Sequence, residues 1–257
     1  MMSRHTTVAV VLTVALALAV GVAAYAAVDP ALVVYLPFDE NAGDKAMDAS
    51  GMNNNAAFKG ATKWGEGKYG SGIALTAKAH LEVPHHDSLN LQSMTLMAWV
   101  RLLKDTGDHQ SMAEKGSAWK EGEYNLLGDY NNHVLLQIRD LDAACADTCE
   151  AGDVMDAKWH HIAGTWDGKA IRIYVDGQMI RECPCNGTLA KNTDPLFIGA
   201  RGGASRWTEG FYDEIKVFGR ALSSAEVSAA MALVPTAVRP HDKTATTWAT
   251  LKTYAAH

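Results

Sequence analysis

The sequence predicts an all-β fold, a sandwich or barrel of short antiparallel strands with one short C-terminal helix. Three observations predict it. Short apolar runs are separated at regular intervals by clusters of Gly, Asn and Asp. Residues 159–178 read as an antiparallel meander with turns at Asp167-Gly168 and Asp176-Gly177. Only Ser223–Leu233 carries a convincing helical signature, with Ser223 as N-cap and Glu226 completing a capping box.

Taken in order, Arg4 and His5 precede an apolar run from Thr6 to Val22, and Ala24-Tyr25-Ala26 is a small-x-small cleavage site. Residues 1–26 therefore read as a secretory signal peptide, with an uncleaved membrane anchor as the alternative. Ala31–Phe38 is an extended apolar run in which Pro37 marks an edge or a strand end. Residues 39–72 hold turn signals at Asp48-Ala49-Ser50-Gly51 and Asn53-Asn54-Asn55. Further strands are expected at 72–76, 80–84, 93–102, 110–115, 123–128, 133–140, 159–167, 170–176, 178–182, 195–200 and 210–219. Residues 27–235 suit one large β-domain. The tail 236–257 is basic and Ala/Thr-rich, with Trp248, Leu251 and Tyr254 at helical spacing. It reads as a loosely docked end or a surface-attachment segment.

In the meander, a two-residue loop at Asp167-Gly168 pairs Trp166 with Lys169, Gly164 with Ile171, Ile162 with Ile173 and His160 with Val175. That face is apolar and belongs to a core, so His160 reads as a core histidine. The other face pairs Thr165 with Ala170, Ala163 with Arg172 and His161 with Tyr174, and reads as surface. A slip of one residue would turn every side chain over. Trp99, Trp159 and Trp166 are expected in the core.

The four cysteines, Cys145, Cys149, Cys183 and Cys185, form two close pairs in a chain bound for an oxidising compartment. Cys183-Pro184-Cys185 closes on itself only with strain, so two disulfides between the 145–149 and 183–185 loops are expected, their pairing open. A four-thiolate zinc site is the rival reading. The formal net charge is −6, and removal of Arg4 with the signal makes it more acidic by one unit. This balance argues against nucleic acid or an anionic membrane as partner and leaves an extracellular glycan or protein.

Seven blocks, in order, resemble the laminin G-like, concanavalin A-like jelly-roll domain of secreted bacterial proteins. They are Leu36–Glu40, Asp48–Gly51, Tyr69–Leu75, Thr95–Val100, the Trp159–Gly177 meander, Pro195–Gly199 and Gly210–Ser223. The resemblance implies a two-sheet antiparallel jelly-roll sandwich, and it also implies a structural calcium near Asp213. An unbroken strand over 211–219 puts Asp213 on one face with Ile215 and Val217, where a carboxylate needs a cation or several N–H donors. Asp39, Asp48 and loop carbonyls could complete an oxygen cage with Asp213. The alternatives are a metal-free Asp213 bonded to backbone N–H groups, and Asp39 and Asp48 as turn residues.

Function is read from sites, because such folds host many activities. Sugar binding calls for exposed aromatics with planar polar groups beside them. Trp119, Tyr124 and Arg139, among Tyr130, Asn131 and Asn132 on the middle strands, and Trp207, beside Arg201 and Arg206 in a Gly-rich loop, are the candidates. Core capping is the alternative for Trp119 and Trp207. The carboxylate runs of jelly-roll glucanases are missing; Glu121-Gly122-Glu123, the nearest, sits in a turn. No Gly-x-Ser-x-Gly occurs, and adjacent histidines such as His85-His86 and His160-His161 point to opposite faces. The expectation is a secreted, non-catalytic, lectin-like or adhesion module. A structural or protein-interaction domain is the alternative, and a glycan-degrading enzyme comes third.

Overall fold

A computed structural model describes residues 29–76, 78–103, 105–118, 120–128, 131–139, 141 and 149–232. In chain order the strands are β1 (Leu32–Leu36), β2 (Lys45–Ala46), β3 (Ala56–Lys59), β4 (Lys63–Glu66), β5 (Ser71–Leu75), β6 (His80–Val83), β7 (Met94–Leu102) and β8 (Gln110–Lys115). Then come β9 (Tyr124–Gly128), β10 (His133–Ile138), β11 (Glu150–Asp153), β12 (His160–Trp166), β13 (Ala170–Val175), β14 (Gln178–Pro184), β15 (Leu196–Ile198) and β16 (Gly210–Phe218). Helix α1 (Ser224–Ala232) follows.

The strands form two antiparallel sheets. The first runs β14-β13-β12-β7-β16-β5-β4, with β1 also paired to β16; the second runs β11-β10-β9-β8-β15-β6-β3-β2. This is the expected jelly-roll sandwich, in which sequence neighbours repeatedly change sheet. Every strand read from the sequence is present. The added ones, β2, β3, β4 and β11, are short and partly polar, which is why they give no periodic signal. The signal segment, the tail and Cys145 lie outside the described residues.

The main core lies between the sheets. Leu96, Ala98 and Val100 of β7, Ile162 and Trp166 of β12, and Ile171 and Ile173 of β13 meet Leu126, Leu136 and Ile198. At Gly164 the two sheets come close: a Cβ there would stand 2.9 Å from the Leu136 Cβ.

The meander keeps the expected faces but not the expected partners. Trp166 pairs with Ile171, Gly164 with Ile173 and Ile162 with Val175, two residues along from the two-residue loop. The Asp167 carboxylate accepts from the N–H groups of both Lys169 and Ala170, so it closes a longer turn and β13 starts at Ala170. A shift of two residues leaves each side chain on its face. At Asp176-Gly177 both residues are left-handed (φ +50° and +78°), as a tight hairpin turn requires, and Val175 pairs with Gln178.

The outer face of the first sheet is a second core, not open surface. Leu32, Tyr35, Met97, Ala163, Tyr174 and Phe218 are covered by Leu222, Val227 and Ala230 from α1 and the segment before it. The helix begins as expected: Glu226 accepts from the Ser223 N–H and hydroxyl, and the Glu226 N–H donates back to Ser223 Oγ. His161 and Tyr174 are thus buried and Arg172 is held by Asp167 and Glu182, which corrects their assignment to a free surface. His160 is not a core residue either. It sits at the strand end between Asp156 Oδ1 (3.1 Å) and Asp176 Oδ2 (2.9 Å).

β16 is not one unbroken strand. Its register against β7 shifts between Asp213 and Lys216, and Glu214 is left-handed (φ +53°), which is a β-bulge. Tyr212, Ile215 and Val217 face the core, whereas Asp213 lies beside Trp99 on the outer face. The expectation that Asp213, Ile215 and Val217 share a face fails at this bulge.

Of the cysteines, Cys149 bonds to Cys183 across the facing sheet edges β11 and β14, Cys185 is also disulfide-bonded, and no described cysteine is free. The disulfide reading holds over zinc.

Candidate functional site

Two rows of side chains cross three strands on the uncovered end of the first sheet's outer face. In one, Trp99 of β7 lies between His161 of β12 and Asp213 of β16. Two residues along β7, Arg101 stands beside Phe211. The alternation that drives Ala98, Val100 and Leu102 inward is what puts Trp99 and Arg101 out here.

Cations lie on the aromatic faces. The Arg101 guanidinium is 4.2 Å from the centroid of Phe211 and 5.4 Å from that of Trp159, and its NH2 reaches Glu66 Oε2 at 3.2 Å. The Lys68 ammonium stands 4.3 Å over Trp99. Tyr69 and His161 meet the same indole edge-on, at 6.0 and 5.4 Å between centroids. Trp159, Phe211, Tyr69, Lys68 and Arg101 are half-buried, so the set forms a shelf open to solvent. Trp99 is 7 % and His161 2 % exposed. Among the described residues the Trp99 Nε1, the Arg101 Nε and the His161 Nδ1 have no hydrogen-bond partner.

Burial first, and then the Lys216 charge, drive the His161 imidazole down to about 3. Lys216 is itself buried. Its ammonium bonds Glu214 Oε2 (3.1 Å) and the Ala230 carbonyl of α1 (3.0 Å), and Tyr35 Oη donates to the same Glu214 oxygen. Burial lowers the ammonium and raises the Tyr35 phenol.

Asp213 is fully buried. Its Oδ2 accepts from the Tyr69 N–H and its Oδ1 from the Glu214 N–H, each at 2.9 Å. Burial pushes the carboxyl up to about 8, with Glu214 and Asp39 adding to the rise and the two N–H donors opposing it. Asp39 is therefore close enough to be felt. Asp48 is not part of that group: its two oxygens accept from the Tyr35, Ser50 and Asn54 N–H groups and the Ser50 hydroxyl, so it closes the 48–54 loop. Among the described residues no three His, Cys, Asp or Glu side chains gather as a metal site.

Of the residues expected to bind sugar, the structure withdraws Tyr124 and places Arg139 and Trp207 on the second sheet's outer face. Tyr124 is wholly buried in the main core, where its hydroxyl donates to the Leu89 carbonyl; its inward place on β9 removes it from any rim. Trp207 packs 5.7 Å from His80 at the second sheet's outer face. Arg139, half-buried, follows β10 there, with its N–H bonded to the Glu123 carbonyl. Trp119 and Tyr130 lie outside the described residues.

That outer face carries a buried ionic network. Glu114, Asn125 and Gln137 stand in one row across β8, β9 and β10. The loop after β15 brings Arg201 to Glu114 (3.2 Å) and Glu123 (3.4 Å), and Arg206 to Glu114 (3.7 Å) and Gln137 (3.1 Å). Burial raises the Glu114 carboxyl to about 7 against the pull of Arg206 and Ser111.

A sequence profile of the concanavalin A-like lectin/glucanases superfamily, laminin G type, matches residues 75–228. The chain belongs to this superfamily. Among solved structures, domain 4 of AbnA, a GH43 extracellular arabinanase from Geobacillus stearothermophilus in complex with arabinotriose, superposes with TM-score 0.60 at 16 % identity. That match covers 77 % of this chain and 97 % of the domain. The binding domain of Paraclostridial Mosquitocidal Protein 1 gives 0.60 at 18 % identity, over 77 % of this chain and 51 % of that one. A Trypanosoma rangeli sialidase mutant displaying trans-sialidase activity gives 0.58 at 17 %, over 77 % and 32 %. At these identities the likeness is one of fold. No curated protein matches the chain.

The aromatic shelf escaped the sequence reading, which placed Trp99 and Trp159 in the core. In this superfamily member, alternation along β7 alone would have put Trp99 and Arg101 on the face opposite Ala98 and Val100. The seeming polarity of 161, 172 and 174 gave no hint that part of the face is covered by α1.

Proposed function

We propose that the protein is an extracellular carbohydrate-binding module whose ligand lies across Trp159, Arg101, Phe211 and Trp99. The observation that carries this reading is the shelf itself. Two half-buried rings, Trp159 and Phe211, flank the planar Arg101 guanidinium on one sheet face, and buried N–H groups there remain unspent. The disulfide between the sheet edges supports an oxidising, extracytoplasmic setting. Binding is favoured over cleavage because Glu114 and Glu123, the carboxylates that share one guanidinium, are fully buried beneath Arg201.

A structural calcium belongs to the proposal, held by Asp39 and Asp213 with loop carbonyls completing its shell. The support is the buried Asp213 carboxyl with further anionic groups beside it. The ion would displace the proton that burial holds on Asp213 and fix the 67–70 loop, whose Tyr69 N–H bonds Asp213.

A glycan array followed by calorimetry tests the reading. Trp159→Ala is expected to weaken the best ligand about 10-fold or more, in line with one lost stacking contact. An array without hits, run in calcium, would sink it. The ion is tested separately: chelation should lower the melting temperature, and an unchanged value removes calcium from the proposal. A protein-interaction module is the second reading. It is favoured by the edge strand β14, where Met179 and Ile180 are 47 % and 42 % exposed.

A further inference from the structure

We infer that the shelf takes an acidic sugar, whose carboxylate or sulfate is received by Lys68, the Trp99 indole N–H and the Arg101 guanidinium. The inference rests on the carbohydrate reading and narrows it to a class of ligand.

The argument starts from donors. Trp99 Nε1 and Arg101 Nε can only donate, and both are buried without an acceptor among the described residues. An unmet buried donor costs free energy comparable to a lost hydrogen bond. The two side chains sit two residues apart on one strand and share a face, so one ligand lying along the strand passes both. The third donor, the Lys68 ammonium, stands over the Trp99 ring.

Charge points the same way. The accessible cations of the shelf are Lys68 and Arg101. Its accessible anions are Glu66, 70 % exposed at the rim and bound to Arg101, and at the β12 end Asp156 and Asp176, both paired with His160. Asp213 is buried and occupied by two N–H groups. A neutral sugar would stack on Trp159 and Phe211 and leave the donors at Trp99 half-used. An anionic oxygen satisfies them with charge-assisted bonds.

Access follows from the geometry at Lys68. Its ammonium is the group seen over the indole, and an arriving anion engages it as it turns from the ring. The 67–70 loop is anchored beneath by the Tyr69 N–H to Asp213.

Four oligosaccharides of equal length test this by calorimetry: a hexuronic acid oligomer, its methyl ester, a sulfated hexose oligomer and the neutral hexose oligomer. The expected result is that at least one acidic oligomer binds about 10-fold tighter than its neutral counterpart. That preference should shrink as salt rises from about 50 to about 500 mM. Which acidic oligomer is preferred separates carboxylate from sulfate. Trp99→Phe keeps the ring and removes the N–H, and Lys68→Gln keeps the stem and removes the charge; each should bring the acidic-to-neutral ratio close to one. Lys68→Gln is a surface change, so the test survives a poorly folded Trp99→Phe. Equal binding of acidic and neutral oligomers, or a preference that both variants retain, overturns the acidic assignment and leaves the carbohydrate reading standing. Failure of all four to bind overturns both.

Discussion

The outer faces of the two sheets meet one problem, polar side chains withdrawn from water, and solve it differently. On the first sheet a helix and apolar side chains cover half the face, and the ions beneath them are few. Glu214 has Lys216 and the Tyr35 hydroxyl. On the second sheet a loop delivers two guanidinium groups onto a row of carboxylate and amide side chains. There each carboxylate has three partners: Glu123 accepts from Arg201 and the Ser117 and Ala118 N–H groups, and Glu114 from Ser111 and both arginines. Redundancy is what distinguishes them. A network survives the loss of one member better than a pair does.

The largest expected effect comes from breaking that pair. Lys216→Ala leaves Glu214 buried without its cation, and the expected loss is about 3–5 kcal/mol. Arg201→Ala leaves both of its carboxylates with other partners, and a loss nearer about 2 kcal/mol is expected. Urea unfolding of the two variants measures the difference. Equal losses would mean that redundancy gives the second sheet no protection. The joint change Glu214→Leu with Lys216→Met should recover most of the loss, because apolar replacement of a buried pair is often neutral or stabilising.

One buried group on each outer face, His161 and Glu114, should also respond oppositely to pH. His161 falls from 6.5 to about 3 on folding, so its contribution is complete above pH 6.5 and is lost as pH falls toward 3. Glu114 rises from 4.5 to about 7, so the folded state holds that proton more tightly. Its contribution is complete below pH 4.5 and is lost as pH rises toward 7. Each slope is at most about 1.4 kcal/mol per pH unit. Between pH 4.5 and 6.5 these two oppose one another, while Asp213, raised to about 8, adds to the Glu114 trend. Relative to wild type, Glu114→Gln should tilt the profile toward lower stability on acidification and His161→Gln toward higher, each by roughly 2 kcal/mol over that window. Matching profiles for wild type and both variants would refute the assignment of these two groups.

The same contrast explains what could be read from the chain. Alternation and Asp-Gly turns made β12, β13 and β14 legible, since both are local. Ser223 and Glu226 made the helix start legible for the same reason. The partners across Asp167-Gly168 were not, because the Asp167 carboxylate chooses between a short and a long turn without changing the apolar pattern. The bulge at Asp213-Glu214 was hidden too. A left-handed Glu carries no sequence signal, yet it moved Asp213 from the core side to the shelf. Tyr124 misled because a tyrosine flanked by polar residues looks like a rim residue, while its hydroxyl needs only one carbonyl, that of Leu89, to be buried. The shelf depends on which part of a face α1 covers, and no local pattern encodes that.

The smallest expected effect tests the cover itself. Ser223 caps α1 through the reciprocal bonds with Glu226, and Leu222 just before it is anchored by its N–H to Thr95 Oγ1. Ser223→Ala should cost about 1 kcal/mol, the usual value of an N-cap, and Ser223→Asp should restore most of it. The position of the loss matters more than its size. If the helix is what keeps the first sheet's outer face dry, amide exchange should quicken at Lys216 and Ala163 beneath it and stay unchanged at Asn125 and Gln137 on the second sheet. Faster exchange on both faces alike would mean that the cap acts through global unfolding, and that α1 is no separate lid on the first sheet.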